Sequence, residues 1–493
     1  MTSAEQRSER TAGRDPVPAP GRDGTASGAP ARFDAAGRRV LAVCMGAGFT
    51  TLLDQSVLNI AISDVRDTLH ASAGQIAWIV AGYSLAFGLA LIPGGRLGDV
   101  LGRKWLFVAG LAVFTGFSAL ASTAHSPWTL VAARLLQGAG AGLVNSQMIG
   151  TIQDVFTGQT RTRALGLYAL TGGLSTALGP PLGGLLLGAA GPDLGWRLTF
   201  LLAVPFGLLT LLLAVRHLPP PTPSARHTDL DPVGLLLVAV LTLGAMLPFI
   251  RPPGALGAAA FAAGVVLLAV LLVAWQRRYA RSGRHPLVHP ALARSRPYAI
   301  GTTVMMAQFG TSIAGSLVLA MFLRDGLGLS AVGTALVTLP AAVAMGVAST
   351  LSWRVVRRFG QRTVPAGLLL SCTALLAGAA AVHYAPADVL PGLLALTQLA
   401  AGTASGLIYA PNQAYVLRHA PAEAAGVAGG ILQMAQRIAG AVGVSAVSGL
   451  YLRATATGLD THRDAYTLAT LACAAGTALA LALATLTTRP RWQ

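Results

Sequence analysis

Residues 76–122, IAWIVAGYSLAFGLALIPGGRLGDVLGRKWLFVAGLAVFTGFSALAS, hold all their charge in one short patch, Arg96, Asp99, Arg103 and Lys104. The apolar runs 73–95 and 105–123 on either side are each long enough to cross a hydrocarbon core of roughly 30 Å as a helix. The stretch therefore predicts two membrane-crossing helices joined by a tight, charged turn. The alternation continues outward, with apolar runs at 39–62, 127–151, 163–189, 197–214, 232–250, 255–274, 299–323, 330–351, 364–382, 389–411, 424–451 and 465–487. With the first two these make fourteen spans, and the expected fold class is all-α integral membrane.

Composition agrees. Of 493 residues, 54% are hydrophobic and 11% charged, and the mean hydropathy is +0.62, whereas a soluble chain is roughly a quarter charged. A net charge of +17 would suggest nucleic acid in a soluble protein. Here the basic residues, all arginine except Lys104, fall in alternate loops. With the amino terminus inside, six of the 35 (Arg66, Arg197, Arg251, Arg324, Arg453 and Arg463) lie outside, Arg134 and Arg437 lie within spans, and 27 lie on the inner side. Basic loops resist translocation, so the expectation is a multi-pass protein of the cytoplasmic (inner) membrane with both termini cytoplasmic and no nucleic-acid partner. Residues 1–37, rich in Gly, Pro, Ala, Ser and charge, read as a disordered cytoplasmic tail. Cys44, Cys372 and Cys473 sit in apolar runs without metal or disulfide spacing, and no metal or cofactor is expected.

Two segments repeat. RLGDVLGRK at 96–104 matches RVVRRFGQR at 354–362, with Gly360 in the place of Gly102, and GAGAGL at 138–143 matches GTASGL at 402–407. The expected plan is a six-helix bundle at 38–215, a linker at 216–231, an extra helix pair at 232–275, a basic loop at 276–297, a second six-helix bundle at 298–487 and a short end at 488–493. Parallel repeats of this kind belong to alternating-access carriers, which bind substrate between the halves near mid-membrane.

Asp54 is the only acid well inside a span. An intramembrane carboxylate is costly and is a functional candidate by default. The first span runs outward and ends about eight residues after Asp54, and the fourth runs inward and reaches Arg134 about seven residues after its start. At 1.5 Å per residue both sit roughly 10 to 12 Å below the outer face. The pair is either a proton site, with the cation favouring the carboxylate and desolvation favouring the acid, or a static brace between two helices. Arg437, next to Gln433 and Gln436, has no acid at its depth; it either meets an anionic or carbonyl-bearing substrate or caps backbone carbonyls. Trp78, Tyr83, Gln137, Met305, Met306, Phe309, Tyr409 and Met434 are candidates for an adaptable apolar cavity, with ordinary helix packing the alternative for each of them.

Together these motifs resemble the major facilitator superfamily, and within it the fourteen-helix drug/proton antiporter branch, over 39–487. Gly95, Asp99, Gly102, Arg103 and Lys104 resemble its loop signature G-x-x-x-D-x-x-G-R-K. The resemblance implies a cytoplasmic gate in which Arg103 reaches Asp154; the second copy has Arg357 in place of the acid. Arg134, Gln137, Gly138 and Gly140 resemble R-x-x-Q-G-x-G. Gly179, Pro180, Gly183 and Gly184 resemble the antiporter motif, with Ser175 at its leading glycine, and serve either as a bendable gate or as close packing. Asp54, Ser56 and Asn59 resemble the first-helix motif L-D-x-T-x-x-N-x-A, and Gly195, Trp196, Arg197, Phe200, Pro205 and Gly207 resemble the start of the sixth helix.

The implied function is proton-coupled export of small, amphipathic drug-like molecules or metabolites, powered by the proton gradient, by one copy of the chain. A proton/nutrient symporter and a non-transporting membrane sensor are the alternatives. ATP-driven transport is disfavoured because a Walker A loop ends in Gly-Lys-Ser/Thr and the only lysine, Lys104, precedes Trp105. The nine histidines form no HExxH or nucleophile-elbow pattern, so an enzyme is not expected.

Overall fold

The computed structural model describes residues 33–220, 230–250, 255–284, 286–287, 290–421, 425–454 and 459–488. Most of the expected tail (1–32), residues 489–493, parts of the linker and the basic loop, Arg251, His285 and His289 lie outside them. Helices are α1 Ala35–Leu69, α2 Ala73–Leu101, α3 Arg103–Ser122, α4 Pro127–Val155, α5 Gly158–His217, α6 Pro232–Ile250 and α7 Ala255–Arg281, then α8 Pro290–Arg294, α9 Arg296–Met321, α10 Ala331–Phe359, α11 Thr363–Tyr384, α12 Leu390–Arg418, α13 Ala425–Ala454 and α14 Leu459–Thr488. No strand occurs among the described residues.

Helix covers each expected span, but the boundaries differ in ways with identifiable causes. Residues 35–37, read as disordered tail, begin α1 because Asp34 accepts the Gly37 N–H at 2.7 Å and caps the helix. The expected spans 163–189 and 197–214 are two limbs of α5, meeting without a loop at Gly191 (φ 74°, ψ 174°) just before Pro192. In the basic loop, α7 runs on past residue 274 and the short α8 follows.

Among the described residues, nine helical stretches are long and apolar enough to cross a membrane; Thr171–His217 and Ala331–Tyr384 each contain two helical limbs, and Pro232–Pro248 is a shorter apolar helix. The long helices left out are α4 and α13. These carry the buried arginines Arg134 and Arg437, and a helix with such polar content is stable in a bilayer only when its neighbours shield it from lipid.

The sequence repeat is also a packing repeat. A Cβ on Gly138 of α4 would meet the Tyr83 backbone of α2, whose Cα lies at 2.9 Å, and one on Gly142 would meet the Phe87 carbonyl. A Cβ on Gly402 of α12 would meet the Ala341 backbone of α10, whose Cα lies at 2.7 Å, and one on Gly406 would lie 2.7 Å from the Met345 carbonyl oxygen. Each pair of glycines four residues apart receives a backbone pair four residues apart, the small-xxx-small device by which membrane helices approach closely. The loop glycines correspond too. Gly102 (φ 89°) and Gly360 (φ 56°) end α2 and α10 in the positive-φ region that favours glycine.

Asp231 fastens the extra helices. Its buried carboxylate accepts hydrogen bonds from Gly234 N (2.9 Å), Trp275 Nε1 (2.8 Å), Gln276 Nε2 (2.6 Å) and Leu287 N (3.0 Å), tying the start of α6 to the end of α7 and to the loop before α8. Burial pushes its pKa up, but the donors outweigh this and hold it below the usual carboxylate value. A depressed folded-state pKa contributes stability above the unfolded value and loses it only as pH falls through the folded one, so the tie is insensitive to pH near neutrality. Asp231→Ala removes the cap and takes the acceptor from three further donors, two of them buried, and is expected to cost at least about 3 kcal/mol, read as a lowered thermal midpoint of the purified protein.

Candidate functional site

Asp54 and Arg134 are brought together. Arg134 Nη1 lies 2.7 Å from Asp54 Oδ2, and both side chains are 1% exposed. The same nitrogen donates to Gln137 Oε1 (2.6 Å), while Gln137 Nε2 donates to Asp54 Oδ1 (2.8 Å) and Ser118 Oγ (2.6 Å). The guanidinium carbon stands 4.1 Å from the Tyr83 ring centroid and 5.6 Å from that of Phe200. Arg134 and Gln137, three residues apart on α4, face the same way, so one helix supplies both partners of the acid. Gln137 is therefore not a lining residue of an open cavity: it is fully buried and its amide is spent on holding the pair. Two charges kept from water this completely need such hydrogen bonding to persist. Adding or removing one proton on Asp54 would change the bonding of every member.

At the end of the bundle bearing 96–104, Arg103 bridges Asp99 (2.7 Å) and Asp154 at the end of α4 (2.6 Å). Lys104 Nζ donates to the Leu218 carbonyl (3.1 Å), beyond α5, and Arg96 Nη2 to the Pro286 carbonyl (2.7 Å) in the loop before α8. The loop thus joins α2, α3 and α4 to both linkers. In the second repeat, Arg357 lies over the Trp353 ring at 5.3 Å, with no carboxylate within pairing distance among the described residues.

At the opposite end the two halves meet through charges of which the sequence reading named only Arg66 and Arg324, as outer-side residues. Arg324 Nη2 pairs with Asp64 Oδ1 (2.5 Å) and Arg66 Nη1 with Asp325 Oδ2 (2.7 Å). The acid–base alternation at 64–66 and its reverse at 324–325 were visible, but their apposition, some 260 residues apart in sequence, was not. Helix α9 widens into a π turn at Phe322–Gly326 that carries both C-terminal members. Beside this seam sits the Gly-Pro motif of α5. A Cβ on Gly179 would meet Ser56 of α1, one on Gly183 would lie 3.1 Å from Val57 Cγ1, and one on Gly184 would lie 2.9 Å from the Ala331 carbonyl oxygen of α10. Gly179 and Gly183 face the first helix, Gly184 the other half.

Between the two ends, Arg437 is buried on α13, with Nη1 donating to Gln55 Oε1 of α1 (2.7 Å) and the guanidinium 4.0 Å from the Phe87 ring centroid and 5.3 Å from that of Phe309. Phe309 meets Tyr409 edge-on at 6.4 Å. Tyr83 connects this region to the ion pair, its ring under Arg134 and its hydroxyl donating to the Thr51 carbonyl (3.3 Å). Met305 and Met434 are buried in the same cluster as Tyr83 and Phe87, and Gln433 is half-buried one turn before Arg437. Trp78 stands apart, packed against the cluster at the seam end with Leu85 and Phe200.

Comparison with known proteins gives this arrangement a family. Residues 44–444 match the Major Facilitator Superfamily. The chain is 35% identical over 449 residues to a probable actinorhodin transporter of Streptomyces coelicolor, covering 88% of this chain and 76% of the relative. It is 30% identical over 411 residues to a tetracenomycin C resistance and export protein of Streptomyces glaucescens, covering 82% and 74%. A solved peptide transporter POT in complex with sulfate shares the fold, with a TM-score of 0.67 at 16% identity over 93% of this chain and 96% of that one. The expected transporter fold is thus found, and the chain, a multi-pass membrane transporter and not an enzyme, belongs to the major facilitator superfamily.

Proposed function

We propose that this chain exports small, amphipathic, drug-like molecules or metabolites across the cytoplasmic membrane in exchange for protons, by alternating access of a central site between its two halves. The observation that carries the proposal is the sealed cluster of Asp54, Arg134 and Gln137. As a carboxylate, Asp54 holds Arg134 and Gln137. Protonated from outside, it releases the guanidinium and relaxes the bond between α1 and α4; the proton leaves on the inner side when the pair re-forms. The seam pairs Asp64–Arg324 and Arg66–Asp325 part as the site turns outward, and the Arg103 latch works at the cytoplasmic end. Sidedness follows from the arginine-rich loops, and the direction of transport is supported by the relative described as an export protein. One elementary charge crossing 100 mV supplies about 2.3 kcal/mol, so one proton with a modest pH difference sustains a substrate ratio of roughly two to three decades.

The test is expression of the chain in a host stripped of its own drug pumps, challenged with a panel that includes actinorhodin and tetracenomycin C. Accumulation of at least one compound should fall relative to an empty vector, and an uncoupler should restore it. Accumulation equal to the vector for the whole panel, or a reduction that persists with the uncoupler, overturns the proposal.

A further inference from the structure

The two buried arginines are not equivalent. Arg134 is matched by Asp54, so their charges cancel. Arg437 has no carboxylate within pairing distance among the described residues. A guanidinium carries five N–H donors, yet the hydrogen bond from Nη1 to Gln55 is the one Arg437 makes among the described residues. Its Nε and Nη2 have no protein acceptor there and do not belong to the sealed, unsatisfied polar atoms. Gln55, Phe309, Tyr409, Gln433 and Gln436 around it are half-buried. They come from α1, α9, α12 and α13, so unspent donors face the junction between the halves.

We propose that Arg437 is an anion-recognition site at the centre of the transport path, and that the transported class is organic acids with an aromatic or conjugated body, carried as anions. This deepens the export reading above and rests on it for the word transported. The central charge balance is +1, so a lipophilic cation entering here meets a like charge in a medium that screens poorly. A carboxylate, enolate or phenolate instead receives the free Nε and Nη2 as a fork, the geometry in which guanidinium binds planar anions. The rings of Phe87 and Phe309 flank the guanidinium and offer surface on which a flat ligand body stacks. A charge-assisted hydrogen bond of this kind is worth roughly a ten- to hundredfold in affinity. Because an anion leaving and a proton entering move charge in the same sense, such exchange is driven by the membrane potential on both counts.

The experiment uses the full chain in lipid nanodiscs, with empty nanodiscs subtracted, and three probes sharing one ring system: 9-anthracenecarboxylate, neutral 9-anthracenemethanol and cationic 9-(aminomethyl)anthracene. The wild type should bind the carboxylate about tenfold or more tighter than the alcohol, and the amine most weakly. Arg437→Gln should equalise carboxylate and alcohol, and Arg437→Lys should keep part of the preference. Equal or tighter binding of the amine by the wild type, no binding of the carboxylate, or a carboxylate preference that survives Arg437→Gln overturns the site. The wild-type ranking decides even if a variant fails to fold. The assay runs at equilibrium without a gradient, so failure of proton coupling would leave it unchanged, and an exporter of cations alone would contradict this inference while sparing the export reading.

Discussion

Asp54→Asn should fold, insert and lose proton-coupled export: the roughly two to three decades of substrate ratio that the proton supports disappear, and an anionic substrate keeps only what the membrane potential alone sustains, about 2.3 kcal/mol per 100 mV. The substitution keeps the shape of the side chain. Its carbonyl oxygen can still accept from Arg134 or Gln137, so the stability loss should fall below the roughly 3–5 kcal/mol of breaking a buried pair outright. What disappears is the ionisable group that passes a proton from one side to the other. Gradient-free exchange of any panel compound the wild type expels should persist, because the halves can still rock. Accumulation with and without an uncoupler, together with the thermal midpoint, gives the answer. A folded variant with full uncoupler-sensitive export would mean that Asp54 and Arg134 are a static brace and that coupling lies elsewhere.

Gly138→Leu and Gly402→Leu should each abolish recovery of a monodisperse protein or lower its stability by about 3 kcal/mol or more, beyond the usual overpacking cost. The obstacle is backbone, not side chain: Tyr83 Cα lies 2.9 Å from the Cβ position of Gly138 and Ala341 Cα lies 2.7 Å from that of Gly402. No rotamer change relieves such a contact, so α2 must separate from α4, or α10 from α12. Gly116→Ala and Gly346→Ala are the controls, since nothing lies within 4 Å of either Cβ position; both should be neutral or gain up to about 1 kcal/mol from helix propensity. Fluorescence-detected size exclusion and thermal midpoints compare the four. Equal behaviour of Gly402→Leu and Gly346→Ala would show that the close crossing in the second half does not matter to the fold.

The residues most legible in the sequence were those whose meaning depends on spacing along one helix or on rise per residue. The match of GAGAGL with GTASGL marked the repeat that the two close crossings share, and the depth argument placed Asp54 opposite Arg134, which now lie 2.7 Å apart. Arg103 was expected to reach Asp154 from the loop motif, and it does, at 2.6 Å. Contacts set by the closure of one half on the other were illegible. Asp64 and Arg324 are ordinary helix-end charges until α1 and α9 are juxtaposed. Asp231 was not singled out in the sequence, because Trp275 and Gln276 become its partners only once α7 folds back. Gln137 was misplaced because a glutamine beside a motif arginine suits a cavity wall as well as an ion pair, and its bonds to Arg134, Asp54 and Ser118 decide between them.

The seam joining Asp64 to Arg324 and Arg66 to Asp325 has one more property. Each lip contributes one acid and one base to these two pairs, and Asp67, bonded to Arg66 on the same lip (2.9 Å), leaves the first lip a single net charge, so in the proposed cycle little gating charge moves as the lips draw apart. Voltage acts on a moving part in proportion to the net charge that part carries through the field. A door hung on largely cancelling charges is therefore nearly deaf to the membrane potential, which is left to act on whatever passes through the doorway.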